Sequence, residues 1–365
     1  MPAPDSLGGP IASEPPFIEA LREKGLDIIT EVYVYGDKLE PTPFFERVRR
    51  VLKTAFRFRK LVRKHRPALI FLNSAFDRRT ILRDAISIFV TSPGAAKVFV
   101  KLHGSTADDL QDPGPLFRML IRYLRRKVDG WGYFTREELD SFVKLGFEPA
   151  RFFPVRNAID LDREVPADFT REQRESGGIF QLLFVSRFVR TKGLIPTIYA
   201  CEELRKRGLR FRLTCVGDGE SRREAEDAAG RLGLGRVVRF TGHLPEAEVT
   251  KQLLKSDILV FPTSHPEGFP IVLFKAIATG MPVVTTNIRA AADYLSEPDN
   301  CLYCTTDPQN IADRIEELIA DKALRERMSQ ANFAYGRTLT PPEVADEFID
   351  IFDELLGDRR PKDTN

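Results

Sequence analysis

Glu267 and Lys275 flank an apolar helical turn in HPEGFPIVLFKAIATG, residues 265–280, the acid at its mouth and the lysine inside it. Gly268 lets backbone approach a ligand closely, and Pro270 suits the first turn of a helix. Free N–H groups there favour an anion, while Glu267 can accept hydrogen bonds from hydroxyls. In LLFVSRFVRTKG a buried strand is expected to end at Arg187, with a helix opening near Lys192 and Gly193. Two cations beside a helix start at a strand's carboxyl end suit a doubly charged phosphate group. A solvated pair of surface charges is the alternative. Gly217 and Gly219 in CVGDGES make a further strand-to-helix turn, where glycine serves either the turn itself or a phosphate. A phosphate cradle joined to a hydroxyl acceptor describes a nucleotide sugar.

The elements that must hold these residues follow from the hydrophobic pattern. Short apolar runs alternate with longer amphipathic ones, the pattern of parallel strands connected through helices. Strands are expected in DIITEVYVYG, ALIFLNS, AKVFVKLHGS, GWGYFT and RFFPVRN. A second set is expected in FQLLFVSR, FRLTCVGDG, VVRFTGH, DILVFPTS, MPVVTT and NCLYC. Two doubly wound α/β domains result, at 1–156 and 179–338, joined by a polar, aperiodic linker at 157–178. An amphipathic helix at 339–357 is expected to pack back towards the first domain, and 358–365 reads as a mobile tail. A chain of 365 residues suits two cores, and 42% apolar with 30% charged residues fits a globular protein.

Residues 180–320 resemble the donor-binding domain of glycosyltransferase family 4, whose GT-B fold sets two Rossmann-like doubly wound domains face to face across a cleft. The resemblance rests on VSRFVRTKG, VGDGES, VVRFTGHLPEAEV, DILVFPTSHPEGFPIVLFKAIATGMPVVTT and, more loosely, NCLYCTTDPQNIADRI. In the first domain it is carried by SLGGP, VKLHGS and FFPVRNAID. It implies a hexosyltransferase that moves a sugar from a nucleotide diphosphate to an acceptor hydroxyl with retention and without a metal or other cofactor. It assigns the diphosphate to Arg187 and Lys192, and the donor sugar to Glu267 with the backbone N–H groups of Gly268 and Phe269. His103, at a strand end before Gly104, would contact sugar or acceptor, and Gly8 and Gly9 would approach the donor phosphates. The Asp160–Asp162 D-x-D lies in the linker and is set aside as a metal site.

The pattern breaks in three places. Where the family has a second, ribose-binding glutamate, this chain has Lys275, which donates and does not accept. After the next strand, where the family has a glycine pair and a following glutamate, NIRAAADYL has Arg289, Ala290 and Asp293, with Arg289 adding a phosphate contact or crowding the site. MPAPDS cannot be the buried first strand, so either the natural chain begins upstream or another segment fills that place. These departures keep a non-catalytic, nucleotide-sugar-binding or scaffolding subunit as an alternative.

FFERVRRVLKTAFRFRKLVRKHRP carries one apolar stripe (Phe44, Val48, Val51, Ala55, Phe58, Val62), with ten Lys or Arg between 47 and 66 and no acid. Arg47, Arg50, Lys53, Arg57, Lys60 and Lys64 are candidates to contact an anionic membrane surface; a solvated face and nucleic acid are the alternatives. FRMLIRYLRRK, residues 117–127, is a second basic helix. A net charge of +2 gives no general attraction to nucleic acid, and no nucleic-acid partner is expected. The expected site of action is the cytoplasmic membrane face, on a glycan or lipid-linked acceptor in polysaccharide, lipopolysaccharide or glycolipid synthesis. Cys201, Cys215, Cys301 and Cys304 read as reduced core residues, with a redox or metal role as the alternative.

Overall fold

The computed structural model describes residues 9–31, 44–104, 107–110, 112–161, 165, 169, 171–175 and 177–357. The chain divides into two compact units, Met1–Ala158 with Pro341–Asn365, and Ile159–Thr340.

The first unit begins with two helices, Gly9–Glu23 (α1) and Phe44–His65 (α2). It then alternates Leu69–Ser74 (β1), Arg78–Thr91 (α3), Lys97–Leu102 (β2), Gly114–Lys127 (α4), Gly130–Tyr133 (β3), Arg136–Lys144 (α5) and Phe152–Pro154 (β4). The strands form one parallel sheet in sequential order, with Leu69 opposite Lys97 and Phe99 opposite Gly130. On α2 the apolar stripe turns inward: Ala55 and Val62 are buried and Val51 and Phe58 half-buried, while Lys53, Arg57, Lys60 and Lys64 are exposed. The side chains of Phe44, Arg47 and Val48 lie outside the described residues.

The expected strand DIITEVYVYG does not form over residues 27–31, and residues 32–36 lie outside the described set. Beside β1, at the end of the sheet order, lies a cavity of about 520 Å³ lined by Phe17, Ile28, Phe58, Phe71 and Phe352.

The second unit follows a strict βα alternation: Phe180–Val185 (β5), Leu194–Lys206 (α6), Phe211–Val216 (β6), Arg222–Arg231 (α7), Val238–Gly242 (β7), Glu246–Lys255 (α8), Ile258–Phe261 (β8) and Ile271–Ala278 (α9). Val283–Thr286 (β9), Arg289–Tyr294 (α10), Leu302–Cys304 (β10), Pro308–Ala320 (α11) and Lys322–Gly336 (α12) complete it. Its parallel sheet has the order β10-β9-β8-β5-β6-β7. The chain builds outward from β5 in one direction, then returns to its other side with β8. The loops after β5 and β8 therefore diverge at a topological switch point, where open α/β sheets hold ligands. The near-continuous apolar character of β5, β8 and β9 reflects helices covering both faces. All four cysteines are buried thiols in this unit, and burial pushes Cys301 and Cys304 up to about 12.

Residues 171–175 of the expected linker pack on this unit. Arg171 donates to the carbonyls of Leu253 (2.9 Å) and Thr279 (3.0 Å), and Arg174 pairs with Asp257 at 2.8 Å. A last helix, Pro341–Leu356 (α13), belongs to the first unit. Its Phe348 lies 4.7 Å from Phe17 of α1 by ring centroids, and Phe352 meets Phe71 and Phe99 edge-on, covering one face of that sheet.

Candidate nucleotide-sugar site

Strand β5 ends at Val185, two residues before the expected end, because the chain must turn at Ser186 to meet the β6 loop. Arg187 is consequently a loop residue, exposed and without a carboxylate partner among the described residues. The turn is tight: a Cβ on Gly217 would sit 1.9 Å from the Ser186 carbonyl oxygen, and φ there is +137°. Glycine at 217 is required by this backbone approach alone. Gly193 caps α6 in the left-handed region, where a Cβ would lie 2.2 Å from the Pro262 carbonyl oxygen.

That contact brings the β5 and β8 loops together, and hydrogen bonds fasten them. The Thr191 carbonyl accepts from the N–H groups of Ser264 (2.8 Å) and His265 (3.1 Å) and from the Thr263 hydroxyl (3.2 Å). The loop then places Lys192 Nζ in an ion pair with Glu267 Oε1, both side chains largely buried. An ammonium has three donors, so Lys192 can hold Glu267 and still serve an anion. Phe269 anchors the far end of the loop: its ring stacks on Phe274 at 3.8 Å, with Tyr294 edge-on at 5.5 Å. Gly268, also buried, lies between the pair and this anchor.

His265, which the motif reading passed over, reports the local field. Burial first, then the Lys192 charge, with Arg187 and Arg289 adding and Glu267 opposing, holds its imidazole below the ordinary value. Its field therefore contains four expected site residues, Arg187, Lys192, Glu267 and Arg289. Three cations against one carboxylate make a positive loop cluster at the carboxyl ends of β5, β8 and β9. Arg289 opens α10 at φ +41°, a left-handed conformation unusual for a non-glycine residue, and is buried. Lys275 points elsewhere: it is 4% exposed, and its Nζ lies 2.6 Å from Glu246 Oε1, at the first turn of α8.

A match to the glycosyl transferases group 1 family spans residues 167–334, taking in all these loops. This second unit is a group 1 glycosyl transferase domain. The glycogen synthase of Mycobacterium tuberculosis (strain ATCC 25618 / H37Rv) is 31% identical to this chain over 178 residues, 48% of the chain and 42% of that protein. The match thus spans less than half of that relative. The putative colanic acid biosynthesis glycosyltransferase WcaL of Salmonella typhimurium is 26% identical over 283 residues, 68% of each. Among solved structures, Anabaena Alr3699/HepE in complex with UDP-glucose superimposes with a TM-score of 0.67 at 17% identity, over 88% of this chain and 86% of that one. The chain's two parallel α/β sheets match those of GT-B structures.

In the first unit, His103 follows β2 in a buried polar network. Glu14 of α1 pairs with Lys101 at 2.8 Å and accepts from Asn73 Nδ2 at 3.1 Å, while Asn73 Oδ1 lies 2.7 Å from His103 Nε2. The carboxylate fixes the Asn73 amide, so Oδ1 faces the imidazole and Nε2 must carry the proton. Nδ1 is left as an acceptor. Burial, then the Lys101 charge, with Glu14 opposing, lowers His103 to about 3. Burial alone would raise Glu14; Lys101 and His103 outweigh it, and its carboxyl stays below the ordinary value. Gly9 opens α1, and Gly8 lies outside the described residues, as does Asp162 of the D-x-D. Among the described residues no three His, Cys, Asp or Glu gather as a metal set.

Proposed function

We propose that this protein is a retaining, metal-independent glycosyltransferase that moves a hexose from a nucleotide diphosphate to an acceptor hydroxyl. The observation that carries the reading is the Lys192–Glu267 pair at the β5/β8 switch point with Arg187 and Arg289 in the same field. Arg187 and Lys192 offset the charge that grows on the departing diphosphate, work that a metal does in other transferases. Glu267 accepts from sugar hydroxyls, aided by the N–H groups of Gly268 and Phe269. The first unit handles the acceptor, and His103 offers Nδ1 to a hydroxyl.

UDP-glucose is the donor class to try first, because it is the ligand of the HepE complex. Colanic acid synthesis in the name of WcaL favours an acceptor in polysaccharide, lipopolysaccharide or glycolipid assembly. The exposed cations of α2 suit an anionic membrane face, and no described helix is long and apolar enough to cross one.

The test is a thermal-shift panel of UDP, GDP, ADP and their glucose conjugates on the wild type and Arg187→Ala, in EDTA. A ligand at a hundredfold its Kd stabilises by about 2.7 kcal/mol. One nucleotide series should stabilise the wild type, and the variant should lose most of that shift. If no diphosphate shifts the wild type, the reading fails. NMR of the product anomer then checks retention.

A further inference from the structure

Helix α4 carries a second basic feature, separate from the sugar-site loops. A cavity of about 390 Å³ at its carboxyl end is lined by Arg122, Arg125, Arg126 and Arg151 against a single carboxylate, Glu148. Two of these arginines have structural work. Arg151 donates to the carbonyls of Arg125 and Val128, both at 3.3 Å, closing the end of α4, and meets Glu148 at 3.3 Å. Arg125 lies 5.5 Å over the Phe147 ring, a cation–π contact that fixes its guanidinium at the cavity wall. Arg122 and Arg126 are exposed and have no carboxylate partner among the described residues. They stand one turn apart, where like charges repel, and Arg125 adds a third cation. An anion seated among them would offset that repulsion, and fork-shaped guanidinium groups match phosphate oxygens.

The same face of α4 identifies the phosphate's source. At 100° per residue, Leu116, Met119, Arg122 and Arg126 fall within a sector of about 120°, opposite buried Ile121 and Leu124. Leu116 is 54% exposed and Met119 60%. On α3, Phe89 is 72% exposed and its ring lies 6.4 Å from Tyr123 of α4. Apolar side chains beside a basic pocket of headgroup size suit a molecule with acyl chains next to a phosphate, whereas a free anion would have no use for them.

We propose that the α4 arginine pocket binds the headgroup phosphate of an anionic phospholipid, with Leu116, Met119 and Phe89 entering the acyl boundary. This rests on the membrane-surface reading of α2 and adds a specific headgroup site to it. Flotation of the full chain is measured with phosphatidylglycerol/phosphatidylcholine vesicles and with pure phosphatidylcholine, for three proteins: wild type, Arg122→Gln/Arg126→Gln, and Lys53→Gln/Lys60→Gln. Inorganic phosphate is titrated against the first two in parallel, and circular dichroism checks folding.

The wild type should float only with the anionic vesicles. Each basic residue at such a surface contributes roughly a fivefold factor, so the α4 pair should lose roughly twentyfold or more in partitioning. Adding Met119→Ala to the wild type should weaken flotation with unchanged phosphate affinity. If the α4 variant floats like the wild type while the α2 variant does not, the pocket proposal is overturned and the membrane reading stands. If the wild type floats with neither vesicle, both fall. Arginine-dependent binding of inorganic phosphate without flotation overturns the lipid as its source.

Discussion

Lys275 Nζ lies 2.6 Å from Glu246 Oε1, an ion pair that ties α9 to the first turn of α8. The lysine side chain is 5% exposed and the glutamate 53%. The half-exposed carboxylate thus neutralises an ammonium that is buried on α9.

This pair makes a glutamate at position 275 costly. Lys275→Glu would set two carboxylates against each other, one of them buried. Breaking fully buried pairs costs about 3–5 kcal/mol, and the half-exposed partner reduces this to about 2 kcal/mol. Urea denaturation should show that loss in Lys275→Glu, and most of it should return in Lys275→Glu/Glu246→Lys. A single variant as stable as the wild type would show that the pair contributes nothing.

Two glycines separate close backbone approach from mere permissiveness. Gly193→Ala must drive a methyl into the Pro262 carbonyl at φ +83°, forcing the β5 and β8 loops apart, at a cost of at least about 2 kcal/mol. Nucleotide-diphosphate binding should fall with it. Gly230, exposed on α7 with nothing within 4 Å of a new Cβ, should gain about 0.5–1 kcal/mol as alanine. Equal effects at the two positions, read by denaturation midpoints, would refute the packing account.

His103 gives a pH prediction with a definite sign. Its folded value is about 3 against an ordinary 6.5, so between those limits the unfolded chain binds the proton more readily. Stability from this group is intact above pH 6.5 and is lost progressively as pH falls towards 3. His103→Gln should flatten that limb. Nitrogen-15 NMR of the wild type at pH 6 should show a neutral ring protonated at Nε2. Asn73→Asp, whose carboxylate accepts only, should raise the titration midpoint. An Nδ1–H tautomer in the wild type would contradict the Glu14–Asn73 arrangement.

The legible and hidden parts of this site differ in physical origin. Strands β5 to β10 and their loops show in the sequence because buried parallel strands are continuous apolar runs that stop where backbone meets ligand or solvent. Lys275–Glu246 joins two helices across their packing contact, and no periodicity encodes which acid meets which base. Glu14 reads as a surface residue of α1, and only Lys101 and Asn73, distant in sequence, make its burial tolerable. Of the strand expected in DIITEVYVYG, the described residues 27–31 form none. His265 stood inside the quoted motif, and its significance arises from the charges that the β5 loop brings to it.

The Lys192–Glu267 pair allows phosphate and sugar recognition to be measured apart. If Lys192 holds the diphosphate as proposed, Lys192→Met removes that cation and leaves Glu267 without its partner, so UDP and UDP-glucose should both weaken. A charge-assisted hydrogen bond of about 1.5–3 kcal/mol corresponds to roughly tenfold to a hundredfold in Kd. Glu267→Gln keeps an oxygen but loses the charge that competes with phosphate for Lys192. UDP should then bind as well as before or more tightly, while any advantage of UDP-glucose over UDP disappears. Isothermal titration of both ligands against both variants decides the matter, because equal losses of UDP in the two variants would mean that Glu267 holds Lys192 in place and does not read the sugar.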